Sequence, residues 1–281
     1  MSPDASADAA VVFPSDRTED SSGDDLLVDV GVLGTVVRIR TVDTDFTALV
    51  RRAWHLALAP GTGREVPEDR TITMTDVEVL GSDAPSERRS RAMVALTQRV
   101  TFTALRARAG QAVFFHAGGI CDPRTGAAFV YVAPGGTGKT TLTRSIGPGL
   151  GYLSDETVAV RADGSVMPYL KPLSIRRGGD VTLKDEVAPG ELGLRAPAAS
   201  PWIAGLVILR RQDGARLERK AVTTLDAIAA LSPETSALAA LDHPFRRLAD
   251  VLERAGGLEI VTYSEADQLR SLMDEVLRRT R

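Results

Sequence analysis

Apolar and polar positions change rhythm several times along the chain. From Leu26, "LLVDVGVLGTVVRIRT" is dense in β-branched residues and turns at Gly34, which predicts a β-hairpin. "FTALVRRAWHLALAP" places Phe46, Leu49, Val50, Ala53 and Trp54 at helical spacing and predicts a helix stopped by Pro60. "RTITMTDVEVL" alternates as a strand does. "SERRSRAMVALTQRVTFTALRARAG" predicts a second helix, with Ser86 as N-cap and Gly110 as C-terminal stop.

Beyond Gln111 the segments shorten. "QAVFFHAGGI" reads as a buried strand entering a glycine turn, and "GAAFVYVA" as a second strand after a "DPRTG" turn. A glycine loop follows, then a short helix from Lys139 to Ile146 ended by "GPG". "GYLSDE" and "TVAVRADGSVMPYL" read as strands, the second folded at Asp163-Gly164. "RRGGDVTLKDEVAPGELGLRAPAASP", polar and rich in glycine and proline, predicts a mobile loop or lid. "WIAGLVILRR" is a core strand that Asp213-Gly214 should turn into a pairing partner. From Thr224 the chain reads as helical except for the strand "GLEIVTYS". Residues 1–25 are rich in Asp, Ser and Ala without an apolar period, which predicts a disordered acidic tail. The expected organisation is α/β: that tail, a small α+β region over 26–110, and one larger unit over 111–281.

Composition narrows the function classes. The 43% hydrophobic and 25% charged content is that of a globular chain. A net charge of -3 gives no bulk attraction to nucleic acid or an anionic membrane, so neither is expected as a partner. The single cysteine, Cys121, allows no internal disulfide and no cysteine-based metal site, and fits a reducing compartment. No apolar run reaches the roughly 18 residues of a membrane span, and the N-terminus lacks the order of a signal peptide. The expected location is cytoplasmic.

The informative chemistry begins at Ala133. Ala133-Pro134-Gly135-Gly136-Thr137-Gly138-Lys139-Thr140 follows the G-x-x-x-x-G-K-[ST] pattern, with alanine at the first glycine, and Thr141 next. An apolar strand precedes it and a helix-compatible run follows. Glycines let successive N–H groups point inward at phosphate oxygens, aided by the helix N-terminus. Lys139 would meet the β- and γ-phosphates and Thr140 would offer its hydroxyl to Mg²⁺, so ATP and Mg²⁺ are the expected ligands. A glycine-rich turn with an exposed lysine is the bland alternative.

Asp155 and Glu156 end "GYLSDE" only one short helix and one strand after Lys139. In switch and motor NTPases the acid comes much later, so this spacing argues against an ATPase layout. Two adjacent carboxylates can divide two tasks, holding metal and taking a hydroxyl proton. A Ser-Asp-Glu turn that merely ends a strand is the competing reading.

The ordered set "FFHAGGI…FVYVAPGGTGKTTL…GYLSDETVAV" resembles the HPr kinase/phosphorylase family, whose P-loop core is shared with phosphoenolpyruvate carboxykinase. The overlap runs from about Phe114 to Val160, with looser similarity through "PLSIR" and "WIAGLVILRR". The resemblance implies a P-loop kinase fold and an ATP- and Mg²⁺-dependent kinase acting on a hydroxyl, serine foremost, of a protein, peptide or small molecule. It implies Lys139 on the phosphates, Thr140 and Glu156 at the metal, Asp155 as the base, and His116 beside the acid pair or at the transferred group. Glu156 departs from the family's usual Asp. The signature for docking HPr is absent, as are the further motifs of a carboxykinase. Relatives assemble, so a homo-oligomer is among the expectations. A nucleotide-sensing module of the same fold remains the alternative.

Other residues carry weaker signals. Lys171, Arg176 and Arg177 admit two readings, contacts to an acidic acceptor or the triphosphate, or a solvated basic edge. Asp185 and Glu186 are minor candidates for a further metal ligand. His55 and His243 read as structural, and Cys121 lacks the surroundings of a nucleophile.

Overall fold

The computed structural model of the chain describes residues 26–59, 65–75, 78–79, 85–177 and 183–281. The predicted acidic tail, the Pro60 helix stop, positions 76, 77 and 80 of the third predicted strand, and positions 178–182 of the polar segment lie outside these residues.

The expected hairpin forms from β1 (Leu26–Val32) and β2 (Thr35–Thr41), paired antiparallel. Leu33 and Gly34 both take positive φ, 48° and 73°, at its turn. β3 (Thr71–Met74) adds parallel to β2. α1 (Thr44–Ala53) starts where the Asp43 carboxylate accepts the Phe46 N–H at 2.5 Å, an N-cap. It ends short of Pro60 because the edge of β1 claims the next backbone. Gly31 N–H donates to the Ala57 carbonyl at 2.7 Å, and Ala59 N–H to the Asp29 carbonyl at 2.9 Å. α2 (Pro85–Arg108) begins at Pro85, so Ser86 lies inside its first turn rather than capping it. Its Ala92, Met93, Leu96, Val100 and Ala104 form one buried stripe, and Gly110 takes positive φ just beyond it.

The larger sheet has the order β12-β14-β11-β5-β4-β7-β8. Its strands are β4 (Val113–Cys121), β5 (Ala127–Val132), β6 (Gly151–Ser154), β7 (Thr157–Val160), β8 (Val166–Met167), β11 (Trp202–Arg211), β12 (Glu218–Ala221), β13 (Thr235–Ser236) and β14 (Leu258–Tyr263). β6 and β13 also pair with β4, off the main path. β5, β11 and β14 run parallel, while β4 is antiparallel to β5, β6 and β7. α3 (Lys139–Ile146), α4 (Thr224–Leu231), α5 (Pro244–Arg254) and α6 (Arg270–Leu277) complete the α/β architecture. No helix among the described residues is long and apolar enough to cross a membrane.

Three local expectations are corrected. Ala117-Gly118-Gly119 is mid-strand in β4, not a turn. A Cβ on Gly118 would lie 2.2 Å from the Tyr131 ring, so the glycine serves close strand packing rather than reversal. The strand after Asp213-Gly214, β12, pairs with β14 instead of β11, because β11 is already flanked by β5 and β14. Part of the segment read as a lid is regular: its β10 (Lys184–Val187) pairs antiparallel with β9 (Leu173–Arg176), and α2 packs against β10.

One apolar cluster runs from Val28 into the strands of the larger sheet. Val30, Ile39, Trp54, Leu96 and Val100 are continuous with Phe114, Tyr152, Tyr169 and Leu173. The described residues before Gln111 therefore share a core with the strands that carry the candidate site.

Candidate functional site

The site is built where β5 hands the chain to α3. Tyr131, near the end of β5, is fully buried, and its hydroxyl lies 2.5 Å from Thr143 Oγ1 on α3. This contact fixes how the helix leaves the strand. Between them Gly136 and Gly138 take positive φ, 79° and 96°, which only glycine adopts readily. Apart from chain neighbours, no heavy atom lies within 4 Å of where a Cβ would stand on Gly135, Gly136 or Gly138, so the loop backbone is uncrowded there. Ala133, where the common pattern has glycine, is not among the positive-φ residues, and alanine fits it without strain. Thr137 closes the loop by donating its hydroxyl to the Pro134 carbonyl at 2.6 Å. Gly138 is the N-cap of α3 and provides no side-chain acceptor, which leaves the first-turn N–H groups facing the loop.

Lys139 folds back over the loop. Its ammonium donates to the Ala133 carbonyl and, at 3.3 Å, to the Pro134 carbonyl. Burial lowers the pKa of this lysine, while Glu234, Asp155 and Glu156 act in the opposite sense. Thr141, next to Thr140, is exposed.

β6 returns the chain directly to this loop. Thr140 Oγ1 donates to Asp155 Oδ2 at 2.7 Å. Asp155 Oδ1 accepts from the Tyr152 hydroxyl at 3.1 Å and pairs with the Lys171 ammonium at 2.9 Å. Both oxygens of this nearly fully buried carboxylate are therefore engaged. Glu156 differs: its side chain is 50% exposed, and only Oε2 is paired, with Lys171 at 3.4 Å. Burial and then the Asp155 charge push the Tyr152 hydroxyl well above its ordinary pKa, so it acts as a neutral donor to the carboxylate.

Of the two sequence readings of Lys171, the solvated edge fails. The residue is 1% exposed. Asp155 Oδ1, Glu156 Oε2 and, at 3.0 Å, the Pro172 carbonyl surround its ammonium. Burial pulls its pKa down, but Asp155, Glu156 and Glu186 together raise it above the ordinary lysine value. Arg177, by contrast, is tied to Asp185 at 2.5 Å and to Ser90 at 3.1 Å on the outer surface. Glu186 accepts from Ser174 at 2.5 Å and from Thr97 of α2 at 3.1 Å. Burial raises its pKa, against the lowering influence of Lys171 and these two hydroxyls.

His116 reaches the rim of the site without touching Asp155. Its Nε2 lies 3.2 Å from Ser236 Oγ, and β4 pairs it with Thr157, the residue after Glu156. The β13–β4 ladder that brings Ser236 there also delivers Glu234, which acts on Lys139. Glu234, Ser236, Tyr152 and Tyr131 had no motif to mark them. Lys171 carried one usable sign: it is one of four lysines among thirty arginines.

No protein-family model matches the chain, and no curated protein matches it. Among the described residues no group of three or more His, Cys, Asp or Glu side chains is placed to hold a metal ion. The donors present still suit Mg²⁺ brought in by a nucleotide. Such an ion draws much of its shell from phosphate oxygens and water, and needs a hydroxyl and one carboxylate from the protein. Thr140 and Asp155 provide that pair at 2.7 Å from one another.

Proposed function

We propose that the protein is an ATP- and Mg²⁺-dependent kinase of the HPr kinase-like P-loop type, transferring the γ-phosphoryl group to a hydroxyl, with serine the leading candidate. The observation that carries this reading is the 2.7 Å bond between Thr140 and Asp155. It joins the glycine loop to an acid only fifteen residues further along the chain, and it leaves the neighbouring carboxylate, Glu156, facing outward.

The loop N–H groups and Lys139 hold the triphosphate, and Thr140 and Asp155 hold the metal. When bound, Mg²⁺ would supply neutralisation of the charge developing on the transferred group. Glu156 takes the acceptor's hydroxyl proton as the acceptor oxygen forms its bond to the γ-phosphorus and the bond to the β–γ bridging oxygen breaks, releasing ADP. This reverses the roles that the resemblance implies for the two acids. Asp155 has both oxygens engaged at 4% exposure, whereas Glu156 keeps Oε1 free at the surface. His116 and Ser236 border the acceptor side through their own 3.2 Å contact.

The test is transfer of labelled γ-phosphate into seryl peptides and small hydroxyl compounds, together with nucleotide affinity. The reading expects transfer by the wild type, abolished in Lys139→Ala. Nucleotide binding without phosphorylated product, even with cell extract as a source of acceptors, would favour the sensing module instead.

A further inference from the structure

The acid pair contains its own cation. Lys171 sits in a wholly buried run, Tyr169 to Leu173, anchored beside β6 where the Tyr169 N–H donates to the Leu153 carbonyl at 2.8 Å. Pro172 follows it, limiting the backbone freedom of that segment. The ammonium thus lies at a fixed point, 2.9 Å from Asp155 Oδ1 and 3.4 Å from Glu156 Oε2. A divalent ion bridging those two oxygens would have to occupy the same space.

We propose that Lys171 stands as a permanent cation between the two carboxylates, where a second divalent ion would otherwise bridge them. The site then takes a single metal ion, and takes it together with the nucleotide. This rests on the nucleotide-binding reading above and deepens it. The physical basis is charge. Two adjacent carboxylates alone would attract free divalent ions; with a buried ammonium paired to both, the attraction is cut and a second ion meets a like charge. Triphosphate oxygens restore the missing negative charge, so affinity for metal arrives with the nucleotide. Lys171 is a positioning residue in this scheme, because it is 1% exposed and its ammonium already faces both carboxylates and the Pro172 carbonyl.

The probe is Mn²⁺, counted by the paramagnetic signal of the free ion, with and without nucleotide. It is applied to the wild type, Lys171→Met and Lys171→Arg. Wild type should hold a single ion in the presence of nucleotide and bind it weakly in its absence. Lys171→Met should gain a nucleotide-independent site, with affinity on the order of tenfold or more above wild type, and Mn²⁺ should raise its melting temperature. Lys171→Arg, which keeps the charge, should behave as wild type in the nucleotide-free titration. Two ions per wild-type chain alongside nucleotide, or unchanged Mn²⁺ affinity in Lys171→Met, would overturn the proposal. If Lys171→Met does not fold, the wild-type count decides: a single ion supports the proposal and two overturn it. Failure to bind nucleotide at all would instead strike the kinase reading, and the nucleotide-free comparison would still decide the role of Lys171.

Discussion

Thr140 and Asp155 meet at 2.7 Å although they belong to different elements, one opening a helix and the other ending a strand. Each is the other's orienting group. Replacing Thr140 with valine keeps the shape and removes the donor, so Mg²⁺-dependent nucleotide affinity should fall, on the order of tenfold. Thr140→Ser should retain most of it. Nucleotide titrations with Mg²⁺ and with excess chelator separate this effect from loss of the fold.

The two acids should part company under mutation. Glu156→Gln is expected to keep nucleotide affinity near wild type and to lose transfer by roughly 10²–10⁴-fold, the range of a lost general base. Asp155→Asn should weaken Mg²⁺-dependent nucleotide binding as well, and should lower stability because Lys171 loses its closest partner. If Asp155→Asn bound Mg²⁺-nucleotide normally while Glu156→Gln did not, the roles would be the reverse of those proposed.

Gly118→Ala tests the close packing of β4 on β5. The added methyl would meet the Tyr131 ring, whose hydroxyl also seats α3 through Thr143. A destabilisation of about 1–3 kcal/mol or more is expected from overpacking. Pairing it with Tyr131→Ala should recover part of that loss, and denaturant melts of the four chains give the coupling.

Glu186 should leave a mark on the pH dependence of stability. Its folded-state pKa is raised, chiefly by burial, above the ordinary value of 4.5. A raised acid binds its proton more tightly folded than unfolded, so its contribution to stability falls as pH rises from about 4.5 through the raised value. Glu186→Gln should flatten that part of the curve. A difference curve rising with pH across the same window would contradict the assignment.

Cys121 should be silent in the native protein. It is fully buried on β4, and burial, with Asp122 adding to it, pushes the thiol up to about 12. Thiol reagents at neutral pH should therefore modify it only as fast as the protein unfolds. Rapid native labelling would show that β4 opens locally.

Much of the candidate site was legible because its signals are local. The loop from Gly135 to Thr140 is a contiguous motif, and the short spacer to Asp155 announced that the acid returns at once. The residues that were missed arrive by pairing between distant strands. Glu234 and Ser236 reach the site through β13, only two residues long, which has no period to detect. Tyr152 was read as a strand residue and proved to be a donor to Asp155. The polar segment near Glu186 looked mobile because glycine and proline dominate its ends. Its central "KDEV" instead pairs with β9 and rests on α2, a tertiary contact that composition does not encode. The β12 partner was misread for a related reason: adjacency along the chain favours β11, but the parallel ladder of β14 lies between them.

The shared core in front of the sheet has a consequence for how this protein can vary. Thr101 on α2 lies 2.6 Å from the Tyr169 hydroxyl, the tilted Trp54 ring lies 6.3 Å from the same ring, and Thr97 donates to Glu186. The N-terminal layer thus packs behind the candidate site. A change on α2 that never meets a ligand can still move that layer, and with it the alignment of the acids. Libraries that diversify residues 85–108 would be adjusting the candidate site from behind, and a fragment lacking that layer would leave it unsupported.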